Sequence, residues 1–387
     1  MKYDRVFSKL ADIGSATRHL KVQPHSVQEL TKVGTEAMPL MTTAPELSKN
    51  STDYHLHLDN LPPLSATKLL EIYHLMLKTR LLEERLIYMP KQHHGFFWIG
   101  GPGEEAFNIP LGLQIKKGKG LNYDYLHLHY RSTGVLIAMG LDPTGPIRQM
   151  KSTASDPFSG GRNFASHYSI PEWNIIPVTS TIETQYLTAI GTAIAQRTPG
   201  NSAITIVNGG DAGTAEGDFA SCLIWASRPK QELPILMIVA NNGWGISTPA
   251  ATQHGEKTIA DRGKAFGIKT GVIDGNDAEL SYLAIQQAMN YVRTERKPFL
   301  LEAKVSRLYG HSSASGANFN HLEEDPLANL EQKLEARQLI TKPEIDQLRK
   351  DYEHEYRLLV EKVIHEPQPN SNSIYDFTYW QQTGKYW

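Results

Sequence analysis

The chain has 387 residues, enough to bury a large core as one big or two medium domains. With 39 basic against 41 acidic side chains, no charge excess points to nucleic acid or a membrane surface. One cysteine, Cys222, rules out an internal disulfide framework and fits a reducing compartment; no run of about 18 apolar residues exists to span a bilayer.

Residues 1–60 lack sustained periodicity and read as an N-terminal arm or, equally, a disordered leader. Lys2, Arg5, Lys9, Arg18 and Lys21 resemble a transit peptide, and Asp4 and Asp12 argue against one. No secretory signal is seen. HLHLDNLPPL (55–64) is a linker ending at a helix start. Ser65 is placed to cap that helix, whose stripe is Leu69, Ile72, Met76, Leu86 and Ile87 through Met89. After the adjacent His93 and His94, read as loop residues rather than metal ligands, comes a glycine-rich turn. A helix follows from about Glu104.

In DYLHLHYRSTG, Leu126 and Leu128 alternate with His127 and His129, as on a strand. Tyr130 and Arg131 follow; on their own they read as a surface salt-bridge pair, although an arginine fork with a neighbouring hydroxyl also suits phosphate oxygens. KSTASDPFSGGRNFASHYSIPEW is a loop carrying Gly160, Gly161, Arg162 and His167. Ile176–Ile182 reads as a strand end running into a helix of small residues, ETQYLTAIGTAIAQR.

The stretch Ala203–Thr248 organises the rest. Ala203–Val207 and Leu233–Ala240 are short apolar runs, as strands buried on both faces are. Glu216–Ser227 reads as the crossover helix, with Phe219, Cys222, Leu223 and Ala226 on one stripe, so Cys222 is expected as a core thiol. Gly209-Gly210-Asp211 follows the first strand and Asn241-Asn242-Gly243 the second, so both emerge at one sheet edge. Asp211 and Asn242 offer hard oxygen ligands that suit Mg²⁺ or Ca²⁺ rather than zinc. Gly209, Gly210, Gly213 and Gly217 let the backbone approach an anion. The pattern reads as a Mg²⁺–diphosphate site; the plain alternative is a tight turn with a capping aspartate.

Lys257–Phe266 is expected to be helical, Val272–Asp274 a strand, and Asn276 and Asp277 the cap of a helix from Ala278 to Thr294. Pro298–Val305 is a strand leading to Arg307 and Gly310-His311-Ser312. Thr341 to Glu344 looks like a capping box for an amphipathic helix with the stripe Ile345, Leu348, Tyr352, Tyr356, Leu359, Val363. The aromatic tail YDFTYW suits a partner subunit's surface.

GDAGTAEGDF…NNGWGIST is similar to the thiamine diphosphate motif and resembles the alpha subunit of the decarboxylating component of 2-oxo acid dehydrogenase complexes. The likeness covers roughly residues 60–366. It extends to Tyr130-Arg131, to Ser180-Thr181-Ile182, to Val272–Asp277 and to Arg307–Ser312. The family has Gly where Ala212 stands, with Gly213 beside it, and the spacer at Arg228–Leu233 looks longer. Ala314-Ser315-Gly316 and Phe319-Asn320 stand where relatives carry an acidic run and a Tyr-Arg pair. Ser312 and Ser313 align with a region phosphorylated in some relatives, where phosphate would repel an anionic ligand; no kinase is expected for this chain.

The resemblance implies an α/β fold, the diphosphate-binding module of the thiamine diphosphate fold, with a mainly parallel sheet flanked by helices. It is expected over residues 61–330, with a helical tail over 331–387. It implies that Asp211, Asn242 and the Trp244 carbonyl bind Mg²⁺. Tyr130, Arg131, Ser180, Ile182, Gly210, Asp211, Ala212, Gly213, Asn242 and His311 would hold thiamine diphosphate, and His311 would assist acyl transfer. The reaction implied is oxidative decarboxylation of a 2-oxo acid at the thiazolium carbon. The acyl group then goes to a lipoyl-bearing acyltransferase component. The glutamate that activates the cofactor lies in a pyrimidine-binding domain in this family, and no segment here reads as one. Half a site is therefore expected, completed by a beta subunit in an α2β2 heterotetramer. Gly103-Glu104-Glu105 and NNGWGISTP look closer to branched-chain members; pyruvate and acetoin stay open as substrates. A cytoplasmic location is expected, with the mitochondrial matrix as the alternative. Two other classes stay open. An NAD-binding Rossmann dehydrogenase would need G-x-G-x-x-G where Gly-Gly-Asp stands. A degenerate scaffolding subunit is the other.

Overall fold

The computed structural model describes residues 62–376 together with Leu56. The expectations for the N-terminal arm, most of the linker, and the tail beyond Asp376 lie outside the described residues. In chain order the helices are α1 (Ala66–Lys91), α2 (Glu105–Gly112), α3 (Thr133–Ala138), α4 (Thr144–Lys151), α5 (Thr184–Ala195), α6 (Gly217–Ala226), α7 (Asp261–Lys264), α8 (Ala278–Glu295), α9 (Pro326–Ala336) and α10 (Lys342–Val363). The strands are β1 (Tyr125–His127), β2 (Thr205–Gly210), β3 (Ile235–Asn241), β4 (Trp244–Gly245), β5 (Thr248–Pro249), β6 (Lys269–Asp274) and β7 (Phe299–Lys304). One sheet has the order β1-β2-β3-β7-β6, every neighbour parallel, and β4 and β5 form a small antiparallel pair.

Period-two geometry divides the sheet's side chains between two cores. On β3, Leu236, Ile238 and Ala240 join the cluster that contains Ala284, Ile285, Ala288 and Met289 of α8. Ile235, Met237 and Val239 join Tyr186, Ala189 and Ile190 of α5 and Phe219, Cys222 and Leu223 of α6. Both faces are therefore covered by helices, which is why the strands are near-continuous apolar runs. Cys222 is a core thiol within this second cluster, and burial pushes it up to about 12. A third cluster joins α1 to α9 and α10 through Leu82, Leu330, Ile345 and Tyr356. α9 was not anticipated from sequence, and it runs across position 330.

The caps follow local chemistry. Ser65 accepts from the Lys68 amide, and Thr341 and Glu344 form a reciprocal capping box. Asp277 Oδ1 accepts from the amides of Glu279 (2.9 Å) and Leu280 (3.0 Å) at the start of α8. Asp277→Ala is expected to cost about 1 kcal/mol. Urea unfolding reads this as a lower midpoint at constant slope; an unchanged midpoint would remove the cap from the account.

Three sequence expectations need correction. Lys257–Phe266 is not one helix; only Asp261–Lys264 is helical, because the Ala260 amide is taken by the buried carboxylate of Glu302 on β7, at 2.9 Å. The alternation at 126–129 is only partly a strand. β1 ends at His127, all four residues are buried, and His127 meets Thr188 and Thr192 of α5. Ile176–Ile182 forms no strand; Ile176 donates to the Leu126 carbonyl, and the segment runs irregularly into α5.

Candidate functional site

Parallel pairing sends the carboxyl ends of β1, β2, β3 and β7 to one edge. A cavity of about 370 Å³ opens there. Tyr130 and Arg131 after β1, Gly210 to Gly213 at the end of β2, Asn242 and Trp244 after β3, and His311 after β7 line it, with Ile182 from the segment before α5. Of the residues expected to hold the metal and the cofactor, Ser180 alone is not on the wall. It sits just behind, with Oγ 2.5 Å from His167 Nε2. His167 Nδ1 meets the Ala165 carbonyl at 2.9 Å, so it carries the proton and Nε2 accepts from Ser180.

Asp211 is 1% exposed, and its Oδ2 has no hydrogen-bond partner among the described residues. Burial raises its pKa above the usual carboxylate range; amides of the 211–212 turn and of Asn242 act the other way. Asn242 Oδ1 accepts from the Trp244 amide at 3.1 Å and keeps a second lone pair. Gly243 takes φ 76°, which turns the chain so that Trp244 follows Asn242 around the same corner. A buried, unsatisfied carboxylate oxygen beside an amide oxygen and a backbone turn is a hard-oxygen donor set. No His or Cys stands in a cluster of three or more metal-ligating side chains among the described residues, so the oxygens of Asp211 and Asn242 are the donors on offer. The residues present fit a dication such as Mg²⁺.

The opposite wall is cationic. Arg131 is 4% exposed, and its guanidinium donates to the Gly100 carbonyl and to His311, with Nη2 3.0 Å from Nδ1. Arginine is a donor only, so His311 Nδ1 accepts and Nε2 carries the proton. Burial, then Arg131 and Arg307, lower His311 to about 4, so it is neutral at physiological pH. Tyr130 lies edge-on to His311 and stacks on His167. His129, also on the wall, is held neutral by burial and by Arg131.

Two buried carboxyls were not singled out from sequence as site residues. Glu104 Oε1 lies 3.9 Å from Arg131 Nε; burial pushes it up to about 8 against the pull of Arg131. It is then neutral at pH 7 and leaves the arginine's charge uncancelled. Glu183 lines the cavity with no exposed surface; burial pushes it up to about 8, while the Gly210 amide lowers it and Asp211 raises it. Nothing local marks these two, since burial is decided by distant strands. Arg162 and Arg307 are off the wall: Arg162 donates to the Ser373 carbonyl at 2.8 Å, and Arg307 to that of Ile246 at 2.9 Å.

The model of the dehydrogenase E1 component family matches residues 73–372. The chain is 33% identical over 245 residues to the mitochondrial 2-oxoisovalerate dehydrogenase subunit alpha 2 of Arabidopsis thaliana, covering 63% of this chain and 50% of that protein. It is 33% identical over 254 residues to the 2-oxoisovalerate dehydrogenase subunit alpha of Pseudomonas aeruginosa, covering 65% and 60%. Against the human mitochondrial subunit alpha it is 26% identical over 327 residues, covering 82% and 72%. The chain thus spans about half the length of the first of these relatives.

Proposed function

We propose a function from the premise that this chain belongs to the dehydrogenase E1 component family: it is the alpha subunit of a thiamine diphosphate-dependent 2-oxo acid dehydrogenase acting on a branched-chain 2-oxo acid. The observation that carries this is the unpartnered Asp211 Oδ2 beside Asn242, facing Arg131 and His311 across one cavity.

Asp211, Asn242 and the Trp244 carbonyl would hold Mg²⁺, and Tyr130, Arg131 and His311 the diphosphate. When bound, the cofactor supplies the electron sink for decarboxylation. The chain's own residues bind and orient. Arg131 is already fixed by Gly100 and His311, so little ordering is left when an anion arrives. His311 offers its Nε2 proton to a phosphate or to the substrate carboxylate, and stays neutral while doing so. Ile182 and Ile246 give the cavity an apolar rim, which suits a branched aliphatic substrate.

That rim is open: Ile182 is 43% and Ile246 57% exposed. Outward faces of the packed pair α5 and α6 add exposed Leu187, Ile194, Ile224 and Trp225. Exposed apolar side chains together with an open site favour a protein partner. A beta subunit in an α2β2 assembly would close the site, and a lipoyl-bearing acyltransferase would take the acyl group. No described helix is long and apolar enough to cross a membrane.

Calorimetry of thiamine diphosphate with Mg²⁺ tests the reading. Weak or no binding is expected for the chain alone and tight binding with a co-expressed beta subunit. Tight NADH binding by the isolated chain would overturn it.

A further inference from the structure

Two of the four glycines around Asp211 owe their identity to a neighbour. An added Cβ at Gly210 or Gly217 would meet nothing within 4 Å. At Gly209 and Gly213 it would overlap the Glu183 carboxyl, and at Gly209 also Tyr186 Cε2, at 2.6 Å. Neither Gly209 nor Gly213 has a positive φ, so the backbone itself would accept alanine at both. What forbids a side chain there is occupied space. Glu183 cannot swing aside into solvent, because it has no exposed surface. Its Oε1 accepts from the Gly210 amide at 3.2 Å, and its Oε2 is buried without a hydrogen-bond partner among the described residues.

Glu183 directly follows Ile182, on the cavity rim, and reaches across to the loop that carries Asp211. We propose that Glu183 is a positioning residue: its carboxyl fills the room left by Gly209 and Gly213 and so sets the distance between the Ser180–Ile182 segment and the Asp211 loop. One side chain of this chain then fixes the spacing between the two ends of the cavity. Gly209 and Gly213 are glycines to admit it, while Gly210 and Gly217 keep the approach to the ligand open. The consequence for the cofactor rests on the function proposed above; the packing does not.

A size-swap cycle in the full chain, melted without ligand, decides the packing. Gly213→Ala is expected to lower the melting temperature by roughly 5 °C or more. Most of that loss should vanish when Glu183→Ala is added, because the overlapping atoms are gone. Where Gly213→Ala alone is insoluble, recovery of soluble protein in the double variant is the same result. An equal penalty for Gly213→Ala with and without Glu183 overturns the spacer, as does a double variant no more soluble than the single one. Thiamine diphosphate and Mg²⁺ binding, followed by calorimetry on the chain co-expressed with its beta subunit, decides the rest. Glu183→Ala should weaken binding by about tenfold, and Glu183→Gln, which keeps shape and acceptor, should bind as wild type. Wild-type affinity in Glu183→Ala overturns the positioning role. Failure of the wild-type assembly to bind would overturn the function and the cofactor half of the inference, leaving the melting cycle to decide the packing half.

Discussion

Asp211→Ala is expected to abolish retention of thiamine diphosphate and Mg²⁺ while leaving the fold standing. The two halves of that expectation come from the same atom. Asp211 Oδ2 is buried with no hydrogen-bond partner among the described residues, so the protein by itself stabilises that oxygen poorly. Removing the carboxylate relieves a desolvated group, and this offsets the lost contacts with the amides of the 211–212 turn and of Asn242. The backbone bond from the Thr214 amide to the Asp211 carbonyl survives in the variant. The ligand-free melting temperature should therefore move little, by an amount worth about 1 kcal/mol or less. Binding is another matter, because the carboxylate is the one charged oxygen this chain is expected to offer the dication. A loss of more than about 100-fold is expected, larger than the usual effect of a residue that only supports a ligand. Asp211→Asn keeps an oxygen and loses the charge, so it should fall between. Calorimetry with thiamine diphosphate and Mg²⁺ on the assembled enzyme reads this, beside a melting curve without ligand. Binding within threefold of wild type would remove Asp211 from the metal site. A collapsed fold would show that its burial is structural.

The parts of this site that sequence could announce share one property: their position depends on strand ends alone. Apolar runs at 203–207 and 233–240 fix two parallel strands, and the residues after them must share an edge. Asp211 and Asn242 are legible for that reason, Trp244 enters only by likeness, and the crossover helix is placed to within a residue at each end. Tyr130, Arg131 and His311 came from likeness, and the sheet order brings them to the same cavity. Where the reading failed, a distant partner had overruled the local pattern. Glu302 on β7 takes the Ala260 amide and holds the segment before α7 away from a helix. His127 and His129 alternate with leucines as on a strand, yet β1 stops at His127, whose ring meets two threonines of α5 and is lowered by burial to about 4. Glu183 reads locally as an ordinary acid ahead of a helix. Only its contact with Gly209, Gly210 and Gly213, which stand well beyond it in sequence, shows that it belongs to the site.

Arg80→Ala should be the costliest single change for stability, about 3–5 kcal/mol. Arg80 is 3% exposed on α1 and pairs with two carboxylates at once. Nε and Nη2 reach Glu105 at 2.7 and 3.1 Å, and Nη1 and Nη2 reach Asp325 at 2.9 and 3.0 Å. Both acids have further tasks. Glu105 Oε2 accepts from the Gly103 amide at 2.8 Å, in a turn where Gly103 has φ 107°. Asp325 caps α9 through the Leu327 amide. Truncating the arginine leaves Glu105, 1% exposed, as an uncompensated buried charge and unties two helix starts together. Arg80→Lys should not rescue it, since one ammonium cannot serve two planar forks. Adding Glu105→Gln to Arg80→Met should recover part of the loss, because the stranded charge is removed. The effect should also reach the cavity. Gly103 and Glu105 flank Glu104, whose carboxyl stands 3.9 Å from Arg131 on the cavity wall. Cofactor affinity should therefore fall in Arg80→Ala even under conditions where the chain is fully folded. Urea unfolding at constant slope measures the first effect and calorimetry the second. A stability loss below 1 kcal/mol would mean that the network is satisfied by water once opened, and unchanged affinity would mean that the turn at Gly103 holds its shape without it.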